Sequence, residues 1–117
     1  MSEALLSLDQ IRVGARDLAE KRREAREAYE HHATEAAEAE RKYRKELAIS
    51  YAKHRAADKG AGESEILANG DAADLRAKRD MEQAMAKASL LRVDELERDQ
   101  TTLRDLAKFS QDMETRG

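Results

Sequence analysis

The sequence predicts an all-α fold, a long helical hairpin or coiled coil in which a glycine-containing turn joins two long helices. Five residue types, Ala, Glu, Lys, Leu and Arg, supply 71 of the 117 residues, and a share above about 50% is typical of long helices. The chain has no proline and only five glycines, so few positions can interrupt a helix. Apolar residues also recur at heptad spacing, which indicates helices that pair along a stripe.

The first predicted helix covers about residues 3–58. Ser7 and Gln10 fit a capping box, in which serine and glutamine satisfy each other's backbone N–H groups, so the helix begins there or at Ser2. The heptad stripe follows Leu8, Ile11, Ala15, Leu18, Arg22, Ala25, Tyr29, His32, Ala36, Ala39 and Tyr43. Beyond these positions it steps by four to Leu47 and Tyr51, a phase shift that resembles a stutter.

A connector is predicted over about residues 59–71, because glycines follow the last cation of the first helix. Asn69 and Gly70 form a pair that readily adopts positive φ. Asp71 is then well placed as the N-cap of a second helix over about 72–114. All of these elements belong to one predicted domain, which covers the whole chain.

The apolar stripe also predicts oligomerisation. Many of its positions are alanine, so a hairpin buries little apolar surface per turn. We therefore expect subunits to associate, because association buries additional apolar surface. The sequence leaves open whether the helices pair within the chain or between chains. The residues that we expect to form the oligomer seam are Leu8, Ile11, Leu18, Tyr29, Leu96, Leu103 and Leu106.

Sequence patterns of catalysis and of cofactor binding are missing. The chain has no cysteine, no Glu-x-x-His pair accompanies His31, His32 or His54, and the glycines after residue 59 lack the Lys-Ser or Lys-Thr of a phosphate loop. We therefore predict no enzyme, no metal site and no cofactor. The sequence has no cysteine and no apolar run near 18 residues, so we expect a cytoplasmic protein that does not span a membrane.

Residues 41–59 form a basic island, with seven basic and two acidic side chains, between two acidic stretches. Cations beside aromatic rings are the two ingredients of single-strand binding, because cations neutralise phosphates and bases stack on rings. The candidate nucleic-acid contacts are Arg41, Lys42, Tyr43, Arg44, Lys45, Tyr51, Lys53, Arg55 and Lys59. The alternatives are a solvated helix end with its tyrosines in the core, or a surface for an acidic protein.

The stretch RKYRKELAISYAKHRAADKGAGES over residues 41–64, followed by a long helix that ends in LAKFSQDM, resembles the phage recombination-mediator family typified by UvsY. The resemblance implies an oligomeric helical protein that binds single-stranded DNA and helps to load a recombinase in the host cytoplasm. It also implies that Lys45, Lys53, Arg55 and Lys59 contact phosphates.

Two functions therefore stand as predictions for this chain. The first is a non-enzymatic, oligomeric accessory protein that binds single-stranded DNA and assists recombinase loading. The alternative is a structural or adaptor coiled coil that binds another protein.

Overall fold

The chain folds into three α-helices, as a computed structural model shows for residues 7–116, with the backbone alone described at residue 116. The helices are α1 (Leu8–Ala56), α2 (Ala61–Asp71) and α3 (Ala73–Arg116). The described residues contain no strand, and the predicted all-α class is confirmed. The predicted start of the first helix near residue 3 lies outside the described residues.

Contacts divide the chain into two compact units. Of the described residues, 7–29 and 89–116 form unit 1, and 30–88 form unit 2. In unit 1 the beginning of α1 is paired with the end of α3, and in unit 2 the end of α1 is paired with α2 and the beginning of α3. The long helices thus pair within the chain, as the predicted hairpin requires. One domain over the whole chain stays a prediction.

The predicted capping box at the start of α1 is confirmed. The N–H of Ser7 donates to Oε1 of Gln10 over 2.9 Å, and the N–H of Gln10 donates to Oγ of Ser7 over 3.1 Å. Two N–H groups that have no acceptor inside the helix are satisfied in this way. Asp9 adds a negative charge in the first turn, where the helix dipole favours it.

Helix α1 ends in a Schellman motif whose left-handed residue is an aspartate. Asp58 has φ 64°, the N–H of Lys59 donates to the carbonyl of His54, and the N–H of Asp58 donates to the carbonyl of Arg55. Glycine is the usual residue at this position, but a short polar side chain also tolerates it. Gly60 is extended instead and stands just before α2, as its N-cap residue.

The predicted connector of residues 59–71 contains helix α2, which corrects the sequence prediction there. No described glycine has positive φ, and Gly70 lies inside α2. Asp71 is the last residue of α2, and α3 begins at Ala73. The residue immediately before α3 is therefore Ala72, and the predicted N-cap at Asp71 is wrong. The N–H of Ala72 still donates to the carbonyl of Ala68 over 3.0 Å, so the helical hydrogen-bond pattern continues into the junction.

Small side chains explain why α2 forms over residues of poor helix propensity. Ser64, Ala68 and Ala72 are almost completely buried, so α2 lies very close to its neighbours in unit 2. Tertiary packing of this kind outweighs the low intrinsic propensity of asparagine and glycine for a helix.

The helices of unit 1 meet along the predicted heptad stripe. Ile11, Val93 and Leu96 are buried. A Cβ added at Gly14 would lie 3.7 Å from a methyl group of Leu103, so this glycine lets the helices approach closely. Gly14 is half-buried and Ala15 is exposed, which corrects the stripe at this point.

This pairing uses most of the predicted oligomer seam inside the chain. Six of its members are buried or half-buried in unit 1, namely Leu8, Ile11, Leu18, Tyr29, Leu96 and Leu103. The seventh, Leu106, is exposed. Oligomerisation stays a prediction, and it would need a surface other than this seam.

In unit 2 the stripe is built from small and polar side chains. Ser50 is buried and His54 is half-buried, whereas Tyr51 is exposed. Leu47 is also half-buried, so the predicted step of four from Tyr43 to Leu47 agrees with the structure, but the next position of the stripe is Ser50 and the prediction of Tyr51 is wrong. Ser50 takes this position because a serine permits closer packing than a tyrosine.

Candidate functional site

The basic island lies in unit 2, at the end of α1 and in the turn before α2. Three of its cations are paired with acids of the preceding helical turn. Nη2 of Arg41 lies 2.6 Å from Oε1 of Glu38, and Nζ of Lys42 lies 3.9 Å from the same oxygen. Nε of Arg44 lies 2.6 Å from Oε1 of Glu40. These cations are therefore partly neutralised along the helix.

The pKa values of the two acids reflect these pairs. The hydrogen bond from Arg41 lowers the pKa of Glu38 below its ordinary value, and the hydrogen bond from Arg44 does the same for the pKa of Glu40. Burial opposes both shifts, since it disfavours the charged carboxylate. Both acids thus stay ionised at neutral pH, and their two negative charges offset part of the positive charge of the island.

One face of the Tyr43 ring is covered by an arginine. Cζ of Arg79, from α3, lies 4.5 Å from the centroid of its ring, which is a cation–π contact. The same guanidinium lies 3.4 Å from Glu40 and 2.8 Å from Asp80. The ring and this arginine belong to the packing between α1 and α3, and the Tyr43 side chain is half-buried.

Two further cations of the island hold the turn between α1 and α2. Nζ of Lys59 lies 3.3 Å from Nδ1 of His54, and Nε2 of His54 lies 2.8 Å from Oδ2 of Asp71. The imidazole of His54 thus lies between the Lys59 side chain and Asp71 of α2. Arg55 donates to the carbonyl of Lys59 over 3.1 Å. Arg55 and Lys59 therefore have structural partners.

Two lysines and one tyrosine of the island remain accessible. Lys45 and Lys53 are exposed and have no ion pair within residues 7–116. Tyr51 lies in a groove of about 480 Å³ between α1 and α2. The groove is lined by Arg44, Leu47, Ala48, Tyr51, Glu65, Ala68 and Asn69. The structure thus brings together only part of the predicted nucleic-acid site.

The sequence prediction missed an apolar surface on α3, which we call the outer stripe: Leu106, Phe109 and Met113. Their side chains are 42%, 52% and 48% exposed, although each is large and apolar. The spacing of three and four residues places them on one face of the helix. The heptad pattern predicts Leu106 in the seam, and the structure corrects this position. The seam on this part of α3 follows Leu103, Ala107 and Ser110.

Metal ligands and membrane spans were sought in the part of the chain that the structure describes. No three His, Cys, Asp or Glu side chains there are grouped so as to hold a metal ion. None of the helices over residues 7–116 has a stretch long and apolar enough to cross a bilayer.

The chain matches no protein-family model, no curated protein and no solved structure. Its function is therefore inferred from the residues and their geometry. Two surfaces are candidates for binding a partner: the outer stripe on α3 and the accessible part of the basic island on α1.

Proposed function

We propose that this chain is a non-enzymatic helical adaptor that binds a helix of another protein through the outer stripe. The observation that carries the proposal is the exposure of Leu106, Phe109 and Met113 together on one face of α3. Contiguous exposed apolar side chains on a folded protein mark interaction sites. A spacing of three and then four residues is also the spacing by which helices are recognised along an apolar face.

The structure presents this stripe on a helix that is held from its other side. Leu103 packs against Gly14 of α1, and Leu96 is buried about three turns before the stripe begins. A partner therefore meets side chains on a preformed helix, which reduces the entropy lost on binding. Phe109 lies between Leu106 and Met113, and a central aromatic residue is the usual anchor of an interface.

The adaptor proposal predicts that a helical probe binds through Phe109. The probe is a labelled synthetic peptide with leucines at heptad spacing and uncharged polar residues elsewhere, titrated with the full chain by fluorescence anisotropy. Replacing Phe109 with aspartate is expected to weaken binding by at least about tenfold, because a charge replaces the anchor.

The matched control for this experiment is Leu91→Asp. Leu91 is also exposed on α3 in unit 1, but it lies about 27 Å along the helix from Phe109. The Leu91→Asp variant should bind the probe as tightly as the unsubstituted chain does. Far-UV circular dichroism should show the same helix content in both variants and in the unsubstituted chain. Equal binding by all three proteins, or no binding by the unsubstituted chain, would contradict the adaptor proposal.

A second candidate function is the binding of single-stranded nucleic acid at the accessible part of the basic island. Lys45 and Lys53 favour it, because both are exposed on α1 and neither is in an ion pair within the described residues. They are eight residues apart, about 12 Å along the helix, a distance that a few nucleotides can follow. This function corresponds to the recombination mediator that the family resemblance implies.

The nucleic-acid proposal predicts salt-sensitive binding of a labelled single-stranded oligonucleotide. The double variant Lys45→Glu, Lys53→Glu should lose this binding, since phosphate contacts supply most of the affinity. The matched control is the double variant Lys21→Glu, Lys108→Glu, which changes the net charge by the same amount outside the island. This control should still bind the oligonucleotide. Arg55 and Lys59 are left intact because they hold the turn. An oligonucleotide that does not bind even at low salt would refute this function.

A further inference from the structure

We infer that Asn69 is a site of spontaneous deamidation, and that opening of α2 controls the rate of this modification. Asn69 is the only asparagine of the chain, and Gly70 follows it directly. The structure places both residues in α2, and both are exposed there. Neither residue belongs to the outer stripe or to the basic island, so the modification is separate from the two proposed binding functions.

The reaction joins the backbone nitrogen of Gly70 to the side chain of Asn69. The nitrogen forms a bond to Cγ of Asn69 and gives up its proton, the bond from Cγ to Nδ2 breaks, and ammonia leaves. Water then opens the cyclic imide at one of two carbons. Addition at Cγ yields aspartate, and addition at the main-chain carbonyl carbon yields isoaspartate. A glycine in the next position favours the attack, because no Cβ crowds its nitrogen and its backbone is the least restricted.

The helical conformation of α2 protects Asn69. Gly70 lies inside the helix, and in an α-helix the N–H of each residue donates to the carbonyl four positions earlier. Ring closure also requires Cβ of Asn69 and the nitrogen of Gly70 to be nearly eclipsed about the Cα–C bond, which a helical ψ does not allow. The reaction therefore needs a state in which α2 is open.

Helix α2 is held by few contacts, so we expect it to open more easily than α1 or α3. It has only 11 residues, its N-cap residue Gly60 makes no side-chain cap hydrogen bond, and its buried residues are Ser64 and Ala68. Leu67 is half-buried, but Ile66 is 74% exposed. A helix of this length is marginal by itself, and segments that bury little apolar surface open locally while the rest of the fold persists.

Deamidation makes this reversible opening permanent. Isoaspartate lengthens the backbone at residue 69 by one carbon, inside the turn that the hydrogen bond from the N–H of Ala72 to the carbonyl of Ala68 closes. The turn cannot keep its geometry with the additional atom. Aspartate instead places a negative charge four residues after Glu65, and like charges at this spacing destabilise a helix. Both products therefore weaken α2.

The test follows the mass of the full chain during incubation in mildly alkaline buffer, with and without urea. Because the chain has one asparagine, the mass gained when an amide becomes an acid reports on Asn69, and fragmentation in the mass spectrometer verifies the position. The rate in urea is that of the unprotected chain. The folded chain should react about tenfold more slowly or less, since α2 is closed most of the time. Hydrogen exchange should be faster in α2 than in α1 and α3.

Three variants separate the opening of α2 from the chemistry. Ser64→Leu overfills a position that is 0% exposed, so it should raise the rate in buffer about tenfold, towards the rate in urea. Ala77→Leu is the control, because it adds a leucine at an exposed position of α3 in the same unit, and it should leave the rate unchanged. Gly70→Ala has open space for its methyl group, and it should slow the reaction in buffer and in urea, because the methyl group crowds the nitrogen.

Each part of the inference has a result that would overturn it. If the chain gains no mass even in urea, Asn69 is not a modification site. If the folded chain reacts as fast in buffer as in urea, α2 does not protect Asn69. Equal rates in Ser64→Leu and Ala77→Leu, or hydrogen exchange in α2 as slow as in α1 and α3, would mean that opening of α2 does not control the reaction.

Discussion

Replacing Leu96 with alanine is expected to lower the free energy of unfolding by about 2–4 kcal/mol, the range for a leucine truncated in a packed core. Leu96 is 2% exposed. In the described part of the chain, the buried apolar side chains larger than alanine are Ile11, Val93 and Leu96. All three lie in unit 1, so a cavity at Leu96 removes a large part of the core there, and few neighbours are able to refill it.

Urea unfolding followed by circular dichroism at one protein concentration measures this loss. Leu106→Ala is the matched control, since it removes the same atoms from the same helix at an exposed position, and it should cost less than about 1 kcal/mol. Hydrogen exchange should accelerate at residues 8–29 and 89–115 in Leu96→Ala. If the two variants lose equal stability, the buried stripe of unit 1 is not the core of this unit.

The sequence is sufficient to predict the features that depend on neighbours along the chain. The capping box of Ser7 and Gln10 forms because its two residues lie in one turn of helix, and the structure has both of its hydrogen bonds. The long helices follow from composition and from the missing proline. These signals are local, so they need no knowledge of what packs against the helix.

Features that depend on tertiary packing could not be predicted in this way. Gly70 lies in a helix because Ser64 and Ala68 are buried against neighbouring elements, and this burial outweighs a turn-forming sequence. The stripe similarly passes through Ser50 and not Tyr51. Hydropathy ranks tyrosine above serine in a core, but close approach of helices requires a small side chain.

The pairing of charges in the basic island also depends on contacts that the sequence does not reveal. Counting residues gives a strongly positive segment, but Glu38 and Glu40 come just before it and pair with its arginines. Arg79 then covers the ring of Tyr43 from another helix. Net charge over a window does not indicate which cations have partners, because the partners lie one turn away or on a different element.

Replacing Ala68 with leucine is expected to destabilise unit 2 by about 1–3 kcal/mol, the usual cost of extra methylene groups in a packed interior. Ala68 is 1% exposed and lies in the middle of α2. A larger side chain must move α2 away from its neighbours, which also strains the hydrogen bond between His54 of α1 and Asp71 of α2.

Ala77→Leu is the control for this prediction, because Ala77 is an exposed alanine of α3 in the same unit. Leucine and alanine have similar helix propensities, so this change should shift stability by no more than about 0.5 kcal/mol. In Ala68→Leu, the NMR signals of the His54 imidazole should shift as its contact with Asp71 is disturbed, and in Ala77→Leu they should stay in place. If Ala68→Leu changes neither the stability nor the His54 signals, α2 does not pack closely through its small residues. The description of residues 61–71 as a packed helix would then be wrong.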